Sequence, residues 1–189
     1  MGNIVLFMHS SLDGFAAGTQ GEMNWIHVDQ ELFDYVEERI AQTNTALYGR
    51  KTFEMMEGYW PTAADQPGAT KHDKVHSAWY KNARKVVLSN TLNESDFTNT
   101  TVINKDYPVA IKEIKANTTG DILVFGSPSA THALLAESLI DETWIFVNPV
   151  LLGDGKPVFK HIKERVSLQL IKTHTFSSGV VCLQHLVKR

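Results

Sequence analysis

A chain of 189 residues with 43% apolar and 21% charged residues has the length and balance of one globular domain with a sizeable core. Its net charge of −3 lacks the basic excess that a nucleic-acid or polyanion partner requires, which excludes those classes. The single cysteine, Cys182, rules out an internal disulfide and, with no targeting segment recognised, is read as fitting a reducing, cytoplasmic setting.

The first element is the apolar run Ile4-Val5-Leu6-Phe7-Met8, which reads as a buried strand and is too short for a signal or membrane helix. No membrane partner is therefore expected. Leu6 stands where a myristoylation signal needs Ser or Thr. Ser10 to Gly14 ends the strand and opens a Gly- and Ala-rich loop that continues past Gly18, Gly21 and Asn24 to Trp25. A helix follows from about Asp29 to Ala41, with Asp29 as its N-cap and Leu32, Phe33, Val36 and Ile40 on one face. Thr45 to Tyr48 is a short strand ended by Gly49, and Lys51 to Glu57 a short helix. A polar loop runs through Pro61 and Pro67 to a second long helix, Lys71 to Lys81. Strands follow at Lys85–Leu88 and Thr101–Ile103, a helix at Val109–Lys115, a strand at Asp121–Phe125 and a helix at Ser129–Leu139. Thr143–Val147 is a strand, 149–157 a Gly-rich loop, and Ser167–Phe176 with Val180–Val187 a closing hairpin turned at Ser177-Ser178-Gly179. Strands alternating with helices and closed by an antiparallel pair predict an α/β protein: one domain over residues 1–189 with a mixed sheet between two helical layers.

Three strand-to-helix or strand-to-loop turns could carry chemistry. Phe125-Gly126-Ser127-Pro128-Ser129 joins a strand to a helix; Gly126 permits close approach, Ser127 can cap, and Pro128 suits the first helical position. Free amides and the helix dipole make such a junction either a phosphate site or simply a capped helix. Tyr48-Gly49-Arg50-Lys51-Thr52-Phe53 has the same context with added positive charge, and a guanidinium can grip a phosphate with two parallel hydrogen bonds; a solvated basic turn is the other reading. Ser89-Asn90-Thr91 offers short polar side chains for a ribose or phosphate, or for a turn. Ligands in open α/β sheets gather at the carboxyl ends of strands, where all three lie. No Walker A, HExxH or CxxC pattern is present. His72 and His76, one helical turn apart, lack a third ligand and are expected at the surface, so no metal site is expected. His9, near a strand end, is read as a core or loop histidine that could face a ligand; Cys182 is read as a small core residue.

In this order, Ser11-Leu12-Asp13-Gly14-Phe15, Gly49-Arg50-Lys51-Thr52-Phe53-Glu54, Lys85-Val86-Val87-Leu88-Ser89 and Phe125-Gly126-Ser127 resemble the dihydrofolate-reductase-like superfamily. Asn148-Pro149-Val150-Leu151-Leu152-Gly153-Asp154-Gly155 resembles its riboflavin-biosynthesis reductase branch and that domain's stand-alone relatives. The resemblance implies a three-layer fold with a central, mostly parallel eight-stranded sheet and an antiparallel C-terminal hairpin. It implies NADPH as cofactor, a small-molecule substrate and a homodimer. By position, Gly49, Arg50, Lys51 and Thr52 resemble the turn for the phosphates, including the extra phosphate of NADPH. Ser89, Asn90 and Thr91 resemble the segment beside the adenosine ribose. Gly126, Ser127, Pro128, Ser129, Ala130 and Thr131 resemble the pyrophosphate turn, where the family often has two glycines and this chain has Ser127 second. Ala16 and Ala17 resemble the positions whose backbone holds the nicotinamide amide.

On the substrate side, Asp29 and Glu31 lie near the carboxylate that supports protonation in dihydrofolate reductases, without aligning cleanly. Each is also open to a structural reading, as a cap and as a solvated face. Trp25 resembles a tryptophan near the folate site, with loop packing as its other reading, and Gly153 and Lys156 belong to a loop that borders substrate in the riboflavin branch. The implied activity is NADPH-dependent hydride transfer to a pyrimidine- or pterin-type substrate, most like 5-amino-6-(5-phosphoribosylamino)uracil reductase. Dihydrofolate reductase and a non-catalytic NADPH-binding module are the alternatives.

Overall fold

A computed structural model describes residues 2–188. β1 (Ile4–Ser11) lies near the middle of an eight-stranded sheet. The other strands of that sheet are β3 (Thr45–Gly49), β4 (Arg84–Leu88), β5 (Thr100–Ile103), β6 (Ile122–Phe125), β7 (Glu142–Asn148), β9 (Ser167–Thr175) and β10 (Val181–Lys188). Their order is β5-β4-β3-β6-β1-β7-β10-β9. The first six strands of that order pair in parallel, and β10 alone reverses direction between β7 and β9.

The helices are α1 (Gln30–Ala41), α2 (Arg50–Glu57), α3 (Trp60–Ala63), α4 (Lys71–Asn82), α5 (Tyr107–Asn117) and α6 (Pro128–Ala136). Strand alternation sorts them into two layers. Val5 and Phe7 of β1 face Leu32, Val36 and Ile40 of α1. On the same face Ala46, Tyr48 and Val87 meet Phe53 of α2 and Tyr80 of α4. Ile4, Leu6 and Met8 face the other way, onto Ile111 and Ile114 of α5 and Ala130 and Leu134 of α6. Burying each of the three α1 side chains contributes about 1.5–3 kcal/mol, which holds this short amphipathic helix on the sheet.

Local chemistry explains most boundaries. Asp29 caps α1, its Oδ1 accepting from Leu32 N–H at 2.9 Å. Thr70 and Asp73 form a reciprocal capping box at α4. α6 stops at Ala136, short of the expected Leu139, because Ser138 turns left-handed at φ 52° and Leu139 N–H closes back on the Leu134 carbonyl.

The supposed loops contain short elements that the sequence reading lacks. Phe15–Ala17 in the supposed loop is a strand, β2, paired antiparallel with β8 (Lys156–Pro157) of the supposed Gly-rich loop. The polar stretch after α2 contains the short helix α3, with Pro61 in its first turn, where a missing N–H costs nothing. His72 and His76 are also not at the surface. Both are only 8% exposed, packed with Phe33, Trp60 and Trp79, because α3 folds over the face of α4 that carries them. Cys182 is fully buried on the α1 face.

Candidate active site

The connections leaving the carboxyl ends of β3 and β6 run in opposite directions. β3 leads through α2 and α4 to β4 on its far side, whereas β6 leads through α6 past β1 to β7. Adjacent strands whose connections part in this way open a crevice at the top of the sheet, the usual ligand position in such folds. Gly49 and Gly126 stand at this point.

The two turns touch. A Cβ placed on Gly49 would overlap Ser127 Oγ and come within 3.0 Å of Ser127 Cβ, so residue 49 must be glycine while Ser127 stays where it is. Gly126 and Ser127 are successive left-handed residues, at φ 58° and 59°. Ser127 therefore adopts the backbone shape of the glycine it replaces, and it does not cap: no side-chain cap bond is made, and its Oγ lies 3.2 Å from Ser129 Oγ. α2 likewise has no side-chain cap. α3 and α5 also lack a side-chain cap, so what sets α2 and α6 apart is that their uncapped first turns meet at the crevice, where their amides can serve an outside acceptor. Inside the first turn of α6, Thr131 Oγ1 is buried without a hydrogen-bond partner among the described residues. Pro128 occupies the first helical position as expected, Ser129 is exposed and Ala130 is buried against the α5/α6 core.

Arg50 is partly exposed and paired with Glu54, its Nη1 donating to Oε1 at 2.8 Å and to Oε2 at 3.1 Å. Lys51 is exposed and Thr52 half-buried, with its methyl facing Gly126. At the end of β4, Ser89 Oγ accepts from the N–H groups of Thr91 and Leu92, so it forms the turn and leaves Asn90 and Thr91 exposed.

On the other side of β1 the chain knits two distant motifs together. Asp13 accepts from Gly153 N–H at 2.7 Å and from Leu152 N–H, and Ser11 Oγ donates to it at 2.6 Å. These bonds, led by that from Ser11, hold its carboxyl below the usual range. Leu12 N–H donates to the Val150 carbonyl, and Gly155 packs so close to Ala17 that a side chain would strike the Ala17 carbonyl. Ala16 and Ala17 of β2 are buried, while Gly153 and Lys156, the latter paired with Ala17 in β8, are exposed.

Asn148, fully buried at the end of β7, is the hub of the α1 face. Its Oδ1 accepts from His27 N–H at 2.9 Å, and the two hydrogens of its Nδ2 are shared among the carbonyls of Phe146 and Ser10 and His9 Nδ1, which lies 3.3 Å away. His9 stacks on Phe146, and burial lowers its pKa to about 4, so it is neutral at physiological pH. Trp25 is half-buried in the segment leading to α1, its Nε1 donating to the Glu22 carbonyl.

Both candidate carboxylates have structural partners. Asp29 caps α1. Glu31 accepts from Ser177 N–H at 2.9 Å and Ser177 Oγ at 2.5 Å, tying α1 to the β9–β10 turn, and these bonds lower its pKa.

Sequence reasoning missed Asn148 and Asp13 as organising residues. The Asp13-Gly14 turn carried a local signal, whereas nothing local to Asn148 foretells partners 121 and 139 residues away. A shallow hollow of about 730 Å³ lined by Arg84, Asn93 and Thr100 lies at the amino ends of β4 and β5, opposite the crevice. Among the described residues, no group of three or more His, Cys, Asp or Glu side chains is arranged to hold a metal ion.

Residues 3–182 match the RibD C-terminal domain family. The chain belongs to that family. It is 36% identical over 182 residues to the uncharacterized protein YyaP of Bacillus subtilis (strain 168), covering 94% of this chain and 91% of YyaP. Among solved structures it resembles the diaminohydroxyphosphoribosylaminopyrimidine deaminase/5-amino-6-(5-phosphoribosylamino)uracil reductase of Thermotoga maritima, with a TM-score of 0.69 at 16% identity, over 99% of this chain and 57% of that one. It also resembles the dihydrofolate reductase of Enterococcus faecalis complexed with NADP(H), with a TM-score of 0.64 at 16% identity, over 99% of this chain and 97% of that one. This RibD C-terminal domain thus has the dihydrofolate-reductase-like fold, and the Asp13 anchor joins two of the motifs that carry its family resemblance. Among the described residues no helix is long and apolar enough to cross a membrane.

Proposed function

We propose that this protein is an NADPH-dependent reductase acting on a pyrimidine- or pterin-type small molecule, nearest in activity to 5-amino-6-(5-phosphoribosylamino)uracil reductase. The observation that carries this reading is the pair of uncapped helix starts, in mutual contact, at the point where the sheet's connections diverge. The residues present fit a dinucleotide. The 126–131 turn would hold the pyrophosphate on the amides of Ser129 and Ala130. The 49–52 turn would hold the 2′-phosphate, with Arg50 and Lys51 adding charge. Asn90 and Thr91 would meet the adenosine ribose, and the backbone of Ala16 and Ala17 the nicotinamide amide. Trp25, Gly153 and Lys156 would border the substrate. A reduced nicotinamide supplies hydride when bound, and the protein contributes orientation and exclusion of water. Asp29 and Glu31 are held by structural hydrogen bonds, so the proton is assigned to water. That assignment disfavours dihydrofolate reduction, which wants a carboxylate facing the pterin ring. The buried Cys182 thiol fits the reducing, cytoplasmic setting.

The proposal includes the homodimer. Leu168, Leu170 and Ile171 of the edge strand β9 are 45%, 54% and 45% exposed. Leu170, His185 and Thr143 lie side by side in register across β9, β10 and β7, and His185 Nδ1 and Thr143 Oγ1 are buried without hydrogen-bond partners among the described residues. A second copy on this face would cover the apolar row.

The deciding experiment is NADPH oxidation measured side by side against the ribosylamino-pyrimidine and dihydrofolate, with NADPH and NADH binding titrated in parallel. Turnover of the pyrimidine with a preference for NADPH is expected. Tight NADPH binding with no oxidation of either substrate would establish the non-catalytic module instead.

A further inference from the structure

We propose that His9 is a substrate-side hydrogen-bond donor whose Nε2–H marks the position of an uncharged acceptor, a carbonyl oxygen or imine nitrogen, on the reducible ring. The inference rests on the reductase reading above and adds a specificity residue to it.

The argument begins with Asn148. Its amide has backbone partners on both sides: Oδ1 takes the His27 N–H, and Nδ2 gives to the Ser10 and Phe146 carbonyls. Exchanging O and N would set a carbonyl against two carbonyls and an N–H against an N–H, so the orientation is determined by the network. The Nδ2 donor also faces His9 Nδ1, at 3.3 Å. The two Nδ2 hydrogens are shared among three acceptors, and a proton on His9 Nδ1 would set N–H against the amide N–H, so Nδ1 presents its lone pair and the proton of the neutral imidazole sits on Nε2. Burial keeps the ring neutral, which excludes the imidazolium as the resting form.

Nε2–H has no partner among the described residues, nor does it belong to the buried unpartnered atoms, so it opens to the outside of the core. Its place in the fold is informative. Gly126 N–H donates to the Phe7 carbonyl where β6 ends, and β1 continues beyond that point to Ser11. His9 lies two residues further along β1 on the same face as Phe7, about 7 Å from it. It thus stands beside the 126–127 turn, under the segment that leads to α1. A neutral N–H donor here offers one hydrogen bond and no charge. It suits a heteroatom adjacent to the carbon that receives hydride. It cannot serve as the acid, because losing its proton would leave an imidazolate; the proton balance stays with water.

Long-range 1H–15N correlation on 15N-labelled protein reads the ring directly, with His9 assigned by the signals lost in His9→Phe. The expected result near neutral pH is a neutral ring protonated on Nε2. Adding dihydrofolate or the ribosylamino-uracil should move the Nε2 resonance for at least one of them. His9→Phe retains the stack on Phe146, and Asn148 keeps its two carbonyl acceptors. This variant should bind the responding probe about tenfold more weakly, with NADPH affinity unchanged. His9→Gln, which restores an N–H donor, should recover part of the loss. A proton on Nδ1, a silent Nε2 with both probes, or equal probe affinity in His9→Phe would each overturn the proposal. Absence of NADPH binding with Nε2 still responding would instead remove the reductase reading and leave the donor in place.

Discussion

The contact between the two phosphate-type turns can be measured by a double-mutant cycle. Gly49 has φ −85° and ψ 159°, a conformation any residue accepts, so Gly49→Ala adds no backbone strain. The new Cβ would instead overlap Ser127 Oγ, stand 3.0 Å from Ser127 Cβ and 3.5 Å from Ala130 Cβ. Rotating the Ser127 hydroxyl removes the first conflict and leaves the second, because the serine backbone is set by the start of α6. Overpacking of this size costs about 1–3 kcal/mol. Ser127→Gly acts in the opposite direction. A serine held left-handed costs about 1–2 kcal/mol, and the added chain freedom of glycine returns about 0.5–1 of that, for a net gain of about 0.5–1 kcal/mol. In the double variant the methyl meets no side chain at position 127, so the cost of Gly49→Ala should largely vanish. The expected coupling is about 1–3 kcal/mol, well beyond the few tenths seen for independent sites. Urea unfolding followed by circular dichroism, with equal slopes in all four proteins, provides the measurement. If Gly49→Ala costs the same in the presence and absence of Ser127→Gly, the turns are not in contact and the shared cradle is wrong.

Arg50→Ala should weaken NADPH by roughly 10- to 100-fold and NADH little, the range for a lost charge-assisted hydrogen bond; equal losses in a fluorescence titration would remove Arg50 from the 2′-phosphate. Asp13→Asn should lower the urea midpoint and speed amide exchange at Leu152 and Gly153, which lose their acceptor's charge. Because the folded Asp13 pKa is depressed, its contribution is present above the unfolded value near 3.8 and disappears as pH falls through the folded one. Burial lowers His76 from 6.5 to about 3. The unfolded chain then binds a proton that the folded protein refuses, so stability is full above about pH 6.5 and declines toward pH 3, with a limiting slope of about 1.4 kcal/mol per pH unit for this histidine. His76→Leu should flatten that decline by one proton's worth in urea melts across this window, and an unchanged slope would argue against a neutral buried His76. Leu170→Lys should shift the protein from dimer to monomer in sedimentation equilibrium; a wild-type monomer at micromolar concentration would contradict the proposed pairing.

The sheet was largely legible because its signals are local. The run Ile4–Met8 is apolar at every position because both faces of β1 are covered, and the 3.6-residue spacing of Leu32, Val36 and Ile40 marks the face of α1. Gly126 and Pro128 announced the start of α6 by their backbone chemistry. Burial of His72 and His76 was hidden because it depends on α3, a four-residue helix whose first turn carries a proline and reads as loop. The pairing of β2 with β8 escaped notice for a related reason, since strands of three and two residues have too few positions to show alternation. The site was legible as motifs but not as roles. Glu31 on a helix surface reads equally as acid, base or spectator until Ser177, 146 residues away, is seen to hold it. Likewise, the tautomer of His9 is written in the backbone around Asn148 and in no sequence pattern.

The position of β1 also bears on how the chain is made. It leaves the ribosome well before the strands it pairs with, β6 at Ile4↔Ile122 and β7 beginning at Val5↔Glu142. At 5–20 residues per second, the 118 residues separating Ile4 from its partner take roughly 6–24 s to synthesise. Throughout that interval the apolar run Ile4–Met8 has neither of its neighbouring strands. Nascent chains of this protein should therefore depend on chaperone shelter in proportion to translation time. Slowing codons placed between α1 and β6 should reduce soluble yield more than the same codons placed after β7.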